Sequence, residues 1–125
     1  MNLYLFIAAG GALGAMSRYW LVSNLDNLNS TGFPMGVFTV NVIGSFLLGA
    51  AFVLISEKLQ LAEQWRSLVM VGFLGAFTTF STFSLDALLL FQQGHYNTAF
   101  LYIAGSVMLC LVAVFAGIHG VRIFF

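Results

Sequence analysis

Charge is what this chain has least of. Its 125 residues hold four Lys and Arg and four Asp and Glu, 6% in all, where a soluble domain carries about 25%. Water is therefore not the solvent for most of the folded surface. One cysteine excludes an internal disulfide. Cys110, with no ligand residues around it, reads as a small buried hydrophobe. The only proline, Pro34, opens an apolar run, where its missing N–H costs nothing. A formal net charge of zero argues against a nucleic-acid partner. No HExxH, GxSxG, phosphate-cradling loop or paired carboxylates occur within the apolar runs, which leaves no support for an enzyme. His95 and His119 are too far apart in sequence to point to a metal site.

What is present is apolar length, 61% hydrophobic residues in long uncharged runs. These are Met1–Ser17, Asn27–Ser56, Ser67–Leu85 and Tyr96–Ile118. About 20 apolar residues cross a bilayer. The chain is therefore expected to be an all-α integral membrane protein, one domain over 1–125 with four transmembrane helices. Their expected bounds are Leu3–Ser23, Phe33–Ser56, Trp65–Gln92 and Tyr96–Ile123. Met1–Ala15 lacks a basic leader and runs into Arg18-Tyr19-Trp20, so it reads as a span and not as a cleaved signal. Ser23 to Gly32 reads as an exposed loop, and Gln92-Gln93-Gly94-His95 as a short turn. Trp20, Trp65, Tyr4 and Tyr96 fall near the interfaces, as aromatic belts do. Four spans would put both termini and the 57–66 loop on one side, gathering Lys58, Arg66 and Arg122 against Arg18. That count leans toward cytoplasmic termini.

Small residues recur four apart at Gly10 and Gly14, Gly11 and Ala15, Ser45 and Gly49, and Ala113 and Gly117. This spacing lets helix backbones approach closely in lipid. Four short helices enclose little volume, so a pathway for a solute calls for an oligomer, with a symmetric dimer the simplest.

Polar groups concentrate in Gly72-Phe73-Leu74-Gly75-Ala76-Phe77-Thr78-Thr79-Phe80-Ser81-Thr82-Phe83. Each of its hydroxyls can bond back one turn along a helix. Four of them within five residues, after two glycines, point instead to a third helix interrupted near its middle. Freed carbonyls and N–H groups there need protein, water or an ion as partner, and a dehydrated cation held by backbone oxygens is one solution. Phe80 and Phe83 share a helix face. They serve as packing residues, or present electropositive ring edges to an anion. Asn41 makes a helix–helix hydrogen bond, the commoner use of such a residue, or donates to an anion along a stripe with Ser45. A similar stripe runs through Tyr102, Gly105 and Ser106. Arg18 snorkels to the interface or draws anions to a vestibule. Asp86 is the one acid beside a span and a candidate proton site.

Three ordered motifs resemble those of the bacterial Fluc/CrcB fluoride channels: Gly10 through Tyr19, Thr39-Val40-Asn41-Val42-Ile43-Gly44-Ser45-Phe46, and Gly72 through Phe83. Together with length and hydropathy they cover nearly the whole chain. Val37 departs from the pattern, since the family often has Thr after the glycine that is Gly36 here, and the fourth span matches more loosely. The resemblance implies an antiparallel dual-topology homodimer in the bacterial inner membrane, with two fluoride pores at the dimer interface. It implies passive, fluoride-selective export with no ATP or proton coupling. By the same carry-over a structural Na⁺ sits at the centre of the dimer on main-chain oxygens of Gly75 and Thr78. Phe80 and Phe83 are then pore-lining rings, Asn41 the pore asparagine, Ser81 and Thr82 a polar track, with Tyr102 and Ser106 beside it. Arg18 is the vestibule arginine. The implied partners are fluoride, a second copy and the lipid bilayer.

Two other classes fit the length. A small dual-topology, proton-coupled exporter of cationic compounds needs an intramembrane carboxylate, for which only Asp86 is available. A holin-like or assembly protein would explain the glycines but has no use for Asn41 together with the Thr/Ser cluster.

Overall fold

The computed structural model describes residues 2–125, and among them every regular element is a helix. Helix α1 spans Leu3–Leu28 and is capped by Asn2, whose side chain accepts the Tyr4 N–H. Helix α2 runs over Met35–Lys58. From Phe52 its turns widen, with hydrogen bonds reaching the fifth residue back, and the Leu59 N–H closes the last of them on the Leu54 carbonyl at 2.8 Å. The third span, Glu63–Gln92, comprises α3 (63–77), itself widened over Ser67–Leu74, and α4 (Phe80–Gln92). Between them Thr78 (φ −89°, ψ 158°) and Thr79 (φ −152°, ψ 120°) are extended. Helix α5 is Tyr96–Phe124.

Each of the four spans exceeds the length a bilayer requires, at 26, 24, 30 and 29 residues. Large apolar side chains point outward from every span, among them Leu13, Phe46, Leu88, Met108 and Phe115. Helices that are apolar all round belong in lipid. This is a multi-pass membrane protein.

Some boundaries differ from the sequence reading. Helix α1 continues to Leu28 through residues expected to be loop. Its polar end is satisfied within the protein, as Asn24 Nδ2 donates to the Trp20 carbonyl one turn back at 2.7 Å. Asp26 accepts the Gly36 N–H at 2.9 Å, joining the end of α1 to the start of α2. Helix α2 begins at Met35, after Pro34, and runs two residues past Ser56. Helix α3 begins at Glu63, ahead of Trp65, and α5 ends one residue beyond Ile123.

Two tight seams organise the bundle. Helix α1 lies on α3, and α2 on α5. A β-carbon on Gly10 or Gly14 would strike the backbone of Leu68 or Phe73, and one on Gly72 would press on Ile7 and Gly10. Across the second seam, Gly49 faces the Val114 carbonyl and Gly117 the Phe46 carbonyl. At these points only glycine permits the backbone approach that makes dispersion contact effective in lipid. By contrast, Gly11 stays clear of its neighbours, its nearest being the Gly72 carbonyl at 4.0 Å from a built β-carbon. The ends of α2 and α5 are tied by Arg122 and Glu57, paired through both carboxylate oxygens at 2.7 and 3.1 Å.

Candidate functional site

The extended pair Thr78–Thr79 stays in place because α2 supplies what the helix has lost. Asn41 uses both ends of its amide on Thr79, with the Thr79 N–H donating to Oδ1 at 2.8 Å and Nδ2 donating to the Thr79 carbonyl at 3.0 Å. Thr79 then caps α4, its Oγ1 accepting the Thr82 N–H at 3.2 Å and donating to Thr82 Oγ1 at 3.1 Å. Thr78 turns back, its hydroxyl and N–H both donating to the Leu74 carbonyl.

These diversions leave two carbonyls without their helical donors. The N–H that would meet the Gly75 oxygen goes to Asn41, and the one that would meet the Thr78 oxygen goes to Thr79 Oγ1. Arg18 Nε donates to the neighbouring Ala76 carbonyl at 3.0 Å. The break thus sets the carbonyl end of α3, where partial negative charge gathers, beside the N–H end of α4, where partial positive charge gathers. Neutral main-chain oxygens of this kind suit a hard cation. Among the described residues no group of three or more His, Cys, Asp or Glu offers a softer or more highly charged site.

Beside the break lies an open groove of about 270 Å³, walled by α2, α4 and α5. Asn41, Ser45, Thr78, Thr79, Phe80, Phe83 and Ser106 line it, so seven of the residues singled out from sequence meet in one place. No charged side chain reaches it. Phe80 is 71% exposed. It meets the Phe83 ring edge-on, with centroids 5.6 Å apart and planes at 63°.

The other candidates sit elsewhere. Tyr102 is fully buried behind Phe83, its ring 5.0 Å away and its hydroxyl donating to Asp86 at 3.2 Å. Ser81 lies outside the groove, 3.5 Å from Thr79 Oγ1, and Thr82 is held by Thr79. Arg18 is engaged by the Ala76 carbonyl at the end of α3, outside the groove, and Gly75 is outside it as well.

Two residues in the groove carry more than sequence reasoning assigned them. Thr79 is both the clamp's partner and the cap of α4. Cys110, expected as a buried hydrophobe, is half-buried and faces the groove. Its place one turn past Ser106 is the signal that could have found it.

Four membrane-crossing helices, with an uncharged groove between the last three of them, define the class: a small multi-pass membrane protein. Residues 5–118 match the family model described as CrcB-like protein, Camphor Resistance (CrcB). The chain is 53% identical over 118 residues to the "Fluoride-specific ion channel FluC" of Hahella chejuensis, covering 94% of this chain and 93% of the relative. It is 48% identical to the protein of the same name in Saccharophagus degradans, over 93% of this chain and 86% of that one. With the one from Shewanella amazonensis it shares 48% identity over 94% of both. The chain belongs to the CrcB family, whose relatives here are named as ion channels and not as enzymes.

Proposed function

We propose that this protein is a passive, fluoride-selective anion channel that exports cytoplasmic fluoride across a bacterial inner membrane. The observation that carries the reading is the groove itself. It offers neutral hydroxyl and amide donors and the rings of Phe80 and Phe83, with no fixed charge. Fluoride is small and strongly hydrated, so it sheds water only where close donors replace it. A lysine or arginine in the path would hold it too long for fast exit. Neutral donors and ring edges allow both entry and release. Asn41 has one amide hydrogen left after its bond to Thr79, and Ser106 has its hydroxyl. A negative-inside potential favours anion exit by about 2.3 kcal/mol per charge per 100 mV, so no ATP or proton coupling is needed.

The groove is open on the outside of a single subunit, and Phe80 projects from that face. A path for a dehydrated anion needs a second wall, and in our reading a second, antiparallel copy supplies it at the dimer interface. The dual-topology homodimer would bring the Gly75 and Thr78 oxygens of two chains together. The same reading makes those oxygens the seat of a central structural Na⁺, which supplies charge neutralisation when bound. Within the chain, Asn41 and Thr79 keep the break open, and Arg18 balances the carbonyl end of α3. Tyr102 supports Phe83 from behind, while Ser81 and Thr82 lie at the start of α4 as the polar approach to the groove.

The test is ion efflux from liposomes holding the purified protein, with fluoride and chloride run in parallel and no proton gradient. Rapid fluoride loss with chloride retained is expected. Folded protein that releases no fluoride but takes up a cationic dye against protons would sink the channel reading in favour of an exporter.

A further inference from the structure

Cys110 follows Ser106 by one turn on α5, so the thiol and the hydroxyl project from the same side of that helix. Both line the groove. Ser106 is only 5% exposed, and its buried Oγ has no hydrogen-bond partner. A hydroxyl left unpaired at such a depth is costly unless a small guest or a water meets it. Asn41 and Thr79, across the groove, already satisfy much of each other. The α5 wall is therefore where a guest gains most, and Cys110 stands beside it. As the chain's only cysteine, it is also the groove's only strong nucleophile.

We propose that Cys110 is a covalent modification site inside the groove, open to small neutral thiol-directed electrophiles, and that a group attached there blocks ion passage. The blocking half rests on the fluoride-channel reading, whereas the openness of the thiol does not. The reaction with methyl methanethiosulfonate illustrates the chemistry. The Cys110 thiolate, the reactive form, attacks the sulfenyl sulfur of the reagent, and its proton goes to water. The reagent's S–S bond breaks, and methanesulfinate leaves with the bonding pair. Cys110 is left as a methyl disulfide. The added sulfur and methyl replace a weak donor with an apolar plug next to the Ser106 hydroxyl, in a groove of about 270 Å³.

The experiment treats the wild-type protein in liposomes with methyl methanethiosulfonate and follows two readouts. Intact mass reports how much Cys110 carries the group, and fluoride efflux reports the consequence. We expect stoichiometric labelling of the folded protein and a fall in efflux of about tenfold or more, as for any plug in a narrow path. Dithiothreitol should restore both. A Cys110→Ser variant, compared with its own untreated rate, should be indifferent to the reagent. Full labelling with undiminished efflux would overturn the proposal. So would a thiol that stays unlabelled in the folded protein but reacts once it is denatured. Absence of fluoride efflux before any reagent is added would count against the channel reading instead, and the mass readout would still decide whether the thiol is open.

Discussion

The two halves of the third span obey different rules. Helix α3 is sealed against α1 by glycines, so closely that a single β-carbon would collide with main chain. Helix α4, reached two residues later, packs mainly on α5 and turns Phe80 outward. One half is held by shape, and where Gly10, Gly14 and Gly72 meet across the seam it tolerates no added atom. The other is held by hydrogen bonds that Asn41 and Thr79 make at its start, and keeps an open face. The comparison teaches that a short membrane chain can separate its scaffold from its working surface within one crossing, provided the backbone is released at a single point and caught again by a side chain.

The sharpest way to break this contrast is Gly14→Val. Its side chain would have to displace the Phe73 backbone, and overpacking costs about 1–3 kcal/mol, more where main chain must move. Loss of monodisperse protein on size exclusion is the expected outcome, and a normal yield would show the α1–α3 seam to be looser than described. Next comes Asn41→Leu, which leaves the Thr79 N–H and carbonyl unpaired at membrane depth. At about 1–3 kcal/mol for each unsatisfied group, unfolding in denaturant should shift clearly downward, and fluoride efflux should vanish with the break's geometry.

Phe80→Ala sharpens the comparison from the other side. Because the ring is mostly exposed on the subunit, its removal should cost the subunit fold less than about 1 kcal/mol, yet lower fluoride efflux by about tenfold or more. Equal loss of stability and flux would mean that Phe80 is scaffold after all. The smallest effect is expected at Arg122→Ala, which cuts the exposed tie to Glu57. An exposed ion pair contributes little to stability and is screened by salt, so efflux should be unchanged and any stability difference should disappear in high salt.

Much of the site could be read along the chain. Asn41, Phe80, Phe83 and Ser106 were identifiable because hydrogen-bonding and aromatic groups at membrane depth need a reason to be there. Gly10 with Gly14 announced a close seam, since residues four apart share a helix face. Spacing alone did not separate Gly11, which stays clear of its neighbours, from Gly10 beside it. Nor did it separate Tyr102, withdrawn behind Phe83 onto Asp86, from Ser106 on the groove wall. The hydroxyls of Thr79 and Ser81 looked alike in sequence, yet Thr79 caps a helix and anchors Asn41 while Ser81 faces outward.

Runs of consecutive apolar residues set the solvent and the number of crossings. Lipid admits a backbone only as helices or closed barrels, and long consecutive apolar runs select the helix. The end of α1 was an exception: Asn24 and Asp26 looked like loop, but partners inside the protein let the helix continue to Leu28. Which groups meet across helices was decided only by the tertiary structure. Asn41 and Thr79 are 38 residues apart in the chain and 2.8 Å apart in space. Hydrogen bonds act over a few ångströms, and only the packed seams bring α2 and the break within that reach.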